Sequence, residues 1–285
     1  MSTIKSSNEH LTFNADGTSK EIRFQANGTQ KASISSAGLF TSTTIDATKL
    51  TGALPAISGA SLTGLPTYPI TTTATGNLGV GSNAVNSITT GDYNVGLGDN
   101  AGTAITTGSY NTAIGYNSAF ANTTGENNTS VGRHSLYTNT TGSQNTALGR
   151  NALGYNTTAS NNTAVGYQAL LQNTTGHNNT ALGYESMKNN TTGNGRNVAV
   201  GAGSMYTNTT GYQNTAVGYN ANLKNVTGAS NTAMGFSALA CNTGASNVAV
   251  GASALQANTT ASDSVAIGAG ALCSQTTGDP NIAIG

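Results

Sequence analysis

The chain has no tryptophan, two cysteines and four prolines, and only 7% of its 285 residues are charged, against about a quarter in an average globular protein. Each shortage excludes something. With aromatics at 6%, a large aromatic core is out of reach. Cys241 and Cys273 do not make a disulfide framework. Ten basic and ten acidic residues cancel, so nothing electrostatic draws the chain to nucleic acid or to an anionic membrane surface. No apolar run approaches the roughly 18 residues of a spanning helix, and no membrane insertion is expected. Disordered chains usually carry high net charge, which this one lacks. Residues 1–10 hold no apolar signal core, so a signal peptide for general secretory export is not expected.

Repetition is what the sequence has in abundance. Aligned on Asn-Thr-Ala-Val-Gly, repeats start at Asn77, Asn94, Asn111, Asn128, Asn145, Asn162, Asn179, Asn197, Asn214, Asn231, Asn247, Ser264 and Asn281. The step is 17 residues, except for 18 from Asn179 and 16 from Asn231. That gives twelve whole repeats and a stub, and self-similarity of this kind marks a stacked architecture. Position 5 is Gly in every copy, position 4 is apolar in every copy (Val80 to Ile284), and position 9 is usually Leu or Met. Phe120 and Leu223 are expected to take the part of position 9 one place later.

A five-residue segment is too short for a helix and alternates as a strand does, with position 4 expected to face inward. Gly at position 5 suits a bend, and Asn-Thr-Thr-Gly is a turn signal. Each repeat therefore reads as one coil: a short strand, a bend, a second short strand ending at Ala-Leu, and a turn. At about 4.8 Å per coil, twelve coils make a rod of about 58 Å. Stacking superposes identical residues, so Asn at positions 1 and 12 is expected to form side-chain ladders. One coil buries two or three apolar side chains and depends on its neighbours. Small residues at positions 3 and 8 would let a coil face pack closely against another chain.

Three regions follow: residues 1–40, a small β region with turn signals at Asn14-Ala-Asp-Gly17 and Ala26-Asn-Gly28; residues 41–76, a Thr/Gly-rich connector; and residues 77–285, an all-β parallel solenoid.

Candidate chemistry is sparse. Eleven charged residues lie in 77–285. Asp92 and Glu126 share position 16 two coils apart, about 10 Å, near the 6.5–9.5 Å of an inverting glycosidase pair; two solvated turn carboxylates is the better reading. His134 and His177 fall in different columns, and neither a metal set nor a cofactor motif is present. Cys241 and Cys273, two coils apart, exceed the roughly 7 Å reach of a disulfide and are expected as buried or half-buried fillers. Position 6 stands out: Tyr116, Arg133, Arg150, Tyr167, Tyr184, Tyr219 and Phe236. Stacked along a rod, these side chains suit the apolar faces and hydroxyls of a glycan. The alternative, an aromatic ladder that covers a strand edge or packs between chains, ranks ahead of it.

Asn197-Val-Ala-Val-Gly201, Asn247-Val-Ala-Val-Gly251 and Ser264-Val-Ala-Ile-Gly268 resemble the head repeats of trimeric autotransporter adhesins. The longer Asn162-Thr-Ala-Val-Gly-Tyr-Gln-Ala-Leu-Leu-Gln-Asn-Thr-Thr-Gly176 is similar to repeats of phage tail-fibre-like proteins, and Ile45–Pro66 resembles a fibre shaft. The resemblance implies a left-handed β-roll in a homotrimer. It also implies an extracellular place on a virion's phage tail, contacts to other tail or baseplate proteins through the N-terminal region, and a host surface glycan as receptor; no enzyme activity is expected. A bacterial trimeric adhesin head is the alternative, with an ice-binding solenoid and a glycan-degrading tailspike behind it.

Overall fold

The computed structural model describes the strands within residues 22–42 as backbone, and residues 75–192 and 195–285 in full. The chain divides into two units, Met1–Thr63 and Gly64–Gly285. In the first, β1 (Ile22–Ala26), β2 (Thr29–Ile34) and β3 (Phe40–Ser42) form an antiparallel sheet. Ala26 pairs with Thr29; residues 27 and 28 of the turn signal between them lie outside the described residues. The turn signal at residues 14–17 and most of the 41–76 connector lie outside the described residues.

The second unit is a parallel β-solenoid of about twelve turns, with no helix among the described residues. Thirteen three-residue strands, β4 (Leu78–Val80) to β16 (Ile282–Ile284), form one sheet in chain order. The register superposes like on like: Thr163 lies opposite Thr180, Ala164 opposite Ala181, Val165 opposite Leu182. Hydrogen bonding between coils continues outside the strands, as from Leu170 N–H to Ser186 O at 3.0 Å and from Thr123 N–H to Thr140 O at 2.9 Å. The turns therefore satisfy their backbone groups as the sheet does.

Two asparagine ladders run along the stack, at position 1 from Asn77 to Asn247 and at position 12 from Asn122 to Asn225, with Asn242 and Asn258 as a separate pair. At position 1, Asn77 Oδ1 accepts the Asn94 backbone N–H at 2.7 Å and Asn94 Nδ2 at 3.1 Å, and later coils repeat the pattern. At position 12, Asn139 Nδ2 donates to Asn122 Oδ1, and Asn156 Nδ2 to Asn139 Oδ1, both at 2.7 Å. Both columns also close their own coil. The carbonyl at position 15 accepts from both, as Gly142 O does from Asn128 and Asn139, each at 2.9 Å. Most buried polar groups are thereby paired, as burial requires; among the exceptions are the Asn222 amide and Asn225 Oδ1. Where the ladder would begin, Ile88 and Ile105 replace Asn and form an apolar cluster with Val85.

The phase of the strand differs from expectation. Position 3 is buried and positions 2 and 4 face outward: Ala113, Ala164 and Ala181 are fully buried, whereas Leu97, Leu148, Leu182 and Met234 are 38–47% exposed. The inward ladder at position 1 fixes this, because alternation puts positions 1 and 3 on one face. Position 9 (Leu136, Leu153, Leu170) already fills the thin interior beside the small residues of positions 3 and 8. Those small residues therefore pack within the coil, not against another chain.

Nor is there a second strand. Positions 7 and 9 both take left-handed φ, as at Gln168 (+54°) and Leu170 (+50°), so the Ala-Leu segment is a turn that swings the position-9 side chain inward. Each such residue costs about 1–2 kcal/mol, offset here by burial of a large apolar side chain. Phe120 and Leu223 do not replace position 9. Ala119 and Asn222 occupy the inner slot, and Phe120 and Leu223 are half-buried outside it.

Candidate functional site

Gly at position 5 turns the chain out of the strand, and the next side chain projects from the edge of the coil. Position 6 is therefore an exposed column whose members lie one coil apart. Tyr167 and Tyr184 stack at 5.3 Å between ring centroids, and Tyr219 and Phe236 at 5.5 Å. Arg133 lies 6.0 Å from the Tyr116 ring and Arg150 5.7 Å from Tyr167. The structure thus brings together all seven residues of this column: Tyr116, Arg133, Arg150, Tyr167 and Tyr184 in one run, Tyr219 and Phe236 in a second. Ala202 separates the runs. Ring stacking and cation–π contact at exposed sites contribute about 0.5–1.5 kcal/mol each, enough to order the column.

A second row, at position 10, runs beside it and was not singled out from the sequence. Phe120 and Tyr137 stack at 5.3 Å. Lys188 lies 5.6 Å from the Tyr206 ring and donates to Glu185 Oε1 at 2.7 Å. That hydrogen bond is the main reason the Lys188 pKa lies above its ordinary value. His134 links the rows, 5.7 Å from the Tyr116 ring and 4.8 Å from Tyr137. Partial burial, then Arg133 and Arg150, hold its pKa below the ordinary value, so the ring stays neutral further into acid. The signal for this row was the scatter of Phe120, Tyr137, Leu171, Tyr206 and Leu223 at a fixed offset, masked by Gly154 and Lys188 in the same column.

Position 16 has a structural task. Its side chains accept backbone N–H groups of the preceding coil: Asp92 Oδ1 from Thr75 at 2.8 Å, Ser143 Oγ from Glu126 at 3.0 Å, His177 Nδ1 from Ser160 at 2.9 Å. The Asp92 carboxylate is thus engaged by the backbone. Both cysteines are free; Cys241 is half-buried, but Cys273 is exposed, contrary to the filler expected of it, because position 10 points outward. Among the described residues no group of three His, Cys, Asp or Glu is placed to hold a metal ion. No helix among them is long and apolar enough to cross a membrane.

Two shallow cavities open between the rows. One, of about 420 Å³, is lined by Tyr184, Glu185, Ala202, Gly203, Tyr206 and Tyr219 among others. The other, of about 320 Å³, lies around Tyr137, Gly154 and Leu171. Compared with protein-family models, curated proteins and solved structures, the chain matches none.

Proposed function

We propose that the chain is a fibrous structural protein of a phage virion, a tail fibre or fibre segment that assembles as a homotrimer and presents a surface for host glycans. The observation that carries this reading is the outward face of the sheet. Position 4 is apolar in thirteen of thirteen strands, and Leu97, Leu148, Leu182, Met234 and Ile267 are each 38–47% exposed on the single chain. The stripe is about 58 Å long. Continuous exposed apolar surface on this scale marks a protein–protein contact. A second copy of the same chain matches its repeat coil for coil, and no other partner would do so by default. Within the proposal, the N-terminal region joins the fibre to other tail or baseplate proteins, and the position-6 column meets the receptor.

The test is to label particles. An antibody raised against the purified chain is applied to phage concentrated from lysates in which mass spectrometry detects the chain. Label along tail fibres is expected. Label confined to bacterial envelopes would overturn the virion assignment.

A further inference from the structure

Resting on the glycan-contact reading above, we infer that the gap at Ala202 is a binding slot for one hexopyranose ring of a saccharide. In the position-6 column, neighbouring aromatic residues stack at 5.3–5.5 Å. Between Tyr184 and Tyr219 the intervening residue is Ala202. The two aromatic residues are therefore two coils apart, about 10 Å, a stack with one ring missing. Gly203 at position 7, where most coils carry Asn, Gln, Glu or His, adds no side chain of its own, and the Asn220 amide of the next coil lies beside it. The resulting cavity of about 420 Å³ falls within the usual range for small-ligand sites.

The walls and the rim differ in chemistry. Tyr184 and Tyr219, 57% and 54% exposed, offer ring surface from opposite sides. Tyr206 and Leu223 add apolar surface from the neighbouring row, and Glu185, Asn220 and Lys224 place polar groups around the edge. A pyranose needs that combination: apolar C–H faces against rings and hydroxyls around its perimeter. The rim is partly fixed in advance, because Lys188 bonds Glu185 at 2.7 Å and lies over the Tyr206 ring, which lowers the ordering cost of binding. The second cavity repeats the device, with Gly154 breaking the position-10 row between Tyr137 and Leu171.

The experiment is saturation-transfer NMR with the methyl glycosides of glucose, galactose and mannose, on the full chain and two variants. Ala202→Tyr completes the stack and fills the slot from a half-buried position at the coil edge, where Tyr184 and Tyr219 stand in the adjoining coils; an unchanged β-signal by circular dichroism confirms that the variant is folded. Ala252→Tyr makes the same change further along the column, away from the gap. At least a tenfold loss of affinity for the bound glycoside is expected in Ala202→Tyr, with Ala252→Tyr unchanged. Undiminished binding in Ala202→Tyr would overturn the slot while leaving glycan contact elsewhere on the column standing. No binding of any of the three glycosides to the unaltered chain would overturn both the slot and the receptor role of the column, but not the assembly of the rod.

Discussion

Gly166→Ala is expected to destabilise the solenoid by at least about 4 kcal/mol, while Gly154→Ala, twelve residues earlier, costs less than about 1 kcal/mol. Gly166 sits at position 5 with φ of +129°, where an L side chain is strained in any surroundings. A Cβ there would also lie 2.5 Å from the carbonyl oxygen and 2.7 Å from the carbonyl carbon of Gly183. Neither atom can withdraw without parting the coils, since Gly183 N–H donates to Val165 O at 2.8 Å. Gly154 faces a different obstacle. Its added Cβ would meet the tip of Leu171 at 2.9 Å, a flexible side chain, and Phe120 and Tyr137 already carry a Cβ at the equivalent position. Urea unfolding at one chain concentration compares the two, and hydrogen exchange should show the Gly166 damage concentrated in the adjoining coils. Equal effects would mean that contact between coils is looser than the geometry indicates.

The second large effect has the opposite sign: Asn222→Leu is expected to stabilise the chain by about 2–4 kcal/mol. Asn222 occupies the position-9 slot, fully buried, where Met205 and Leu239 stand in the coils on either side. Neither Nδ2 nor Oδ1 of its amide has a hydrogen-bond partner. Such a group costs about 1–3 kcal/mol in desolvation alone, and Leu adds apolar burial in a column built for it. A rise in the urea midpoint with unchanged slope would bear this out. A fall would mean that the amide holds a partner within the core. Asn225 makes a related point, because the 16-residue repeat from Asn231 breaks the position-12 ladder. Asn242 bonds locally to Gly244, and Asn225 Oδ1 is left unpaired.

The stack, its period, the Gly bend and both asparagine ladders are legible in the sequence because superposition forces like residues together. The phase of the strand is not. Positions 3 and 4 are both apolar, and the deciding fact is the inward position-1 Asn, whose burial becomes visible only once the ladder is formed. The left-handed residues are hidden for another reason. Leu170, Met187 and Met205 adopt φ of +48° to +51° against their local preference, because tertiary burial outweighs it. Two signals pointed there all the same: Asn at position 7 (Asn83, Asn100, Asn151, Asn220) and Gly102 at position 9, residue types that tolerate that conformation. Of the candidate site, the position-6 column could be read directly from the sequence. The row at position 10 and the gap at Ala202 emerge only when the two columns lie side by side.

The mass of the purified chain in solution, by light scattering, tests assembly through the position-4 stripe most directly. Three times the 28.4 kDa chain mass is predicted, falling to a single chain with unchanged β-signal when Leu148→Lys and Leu182→Lys are introduced together, since both sites face outward on one chain. A mass of one chain before any substitution, or a multimer indifferent to the two lysines, would contradict it.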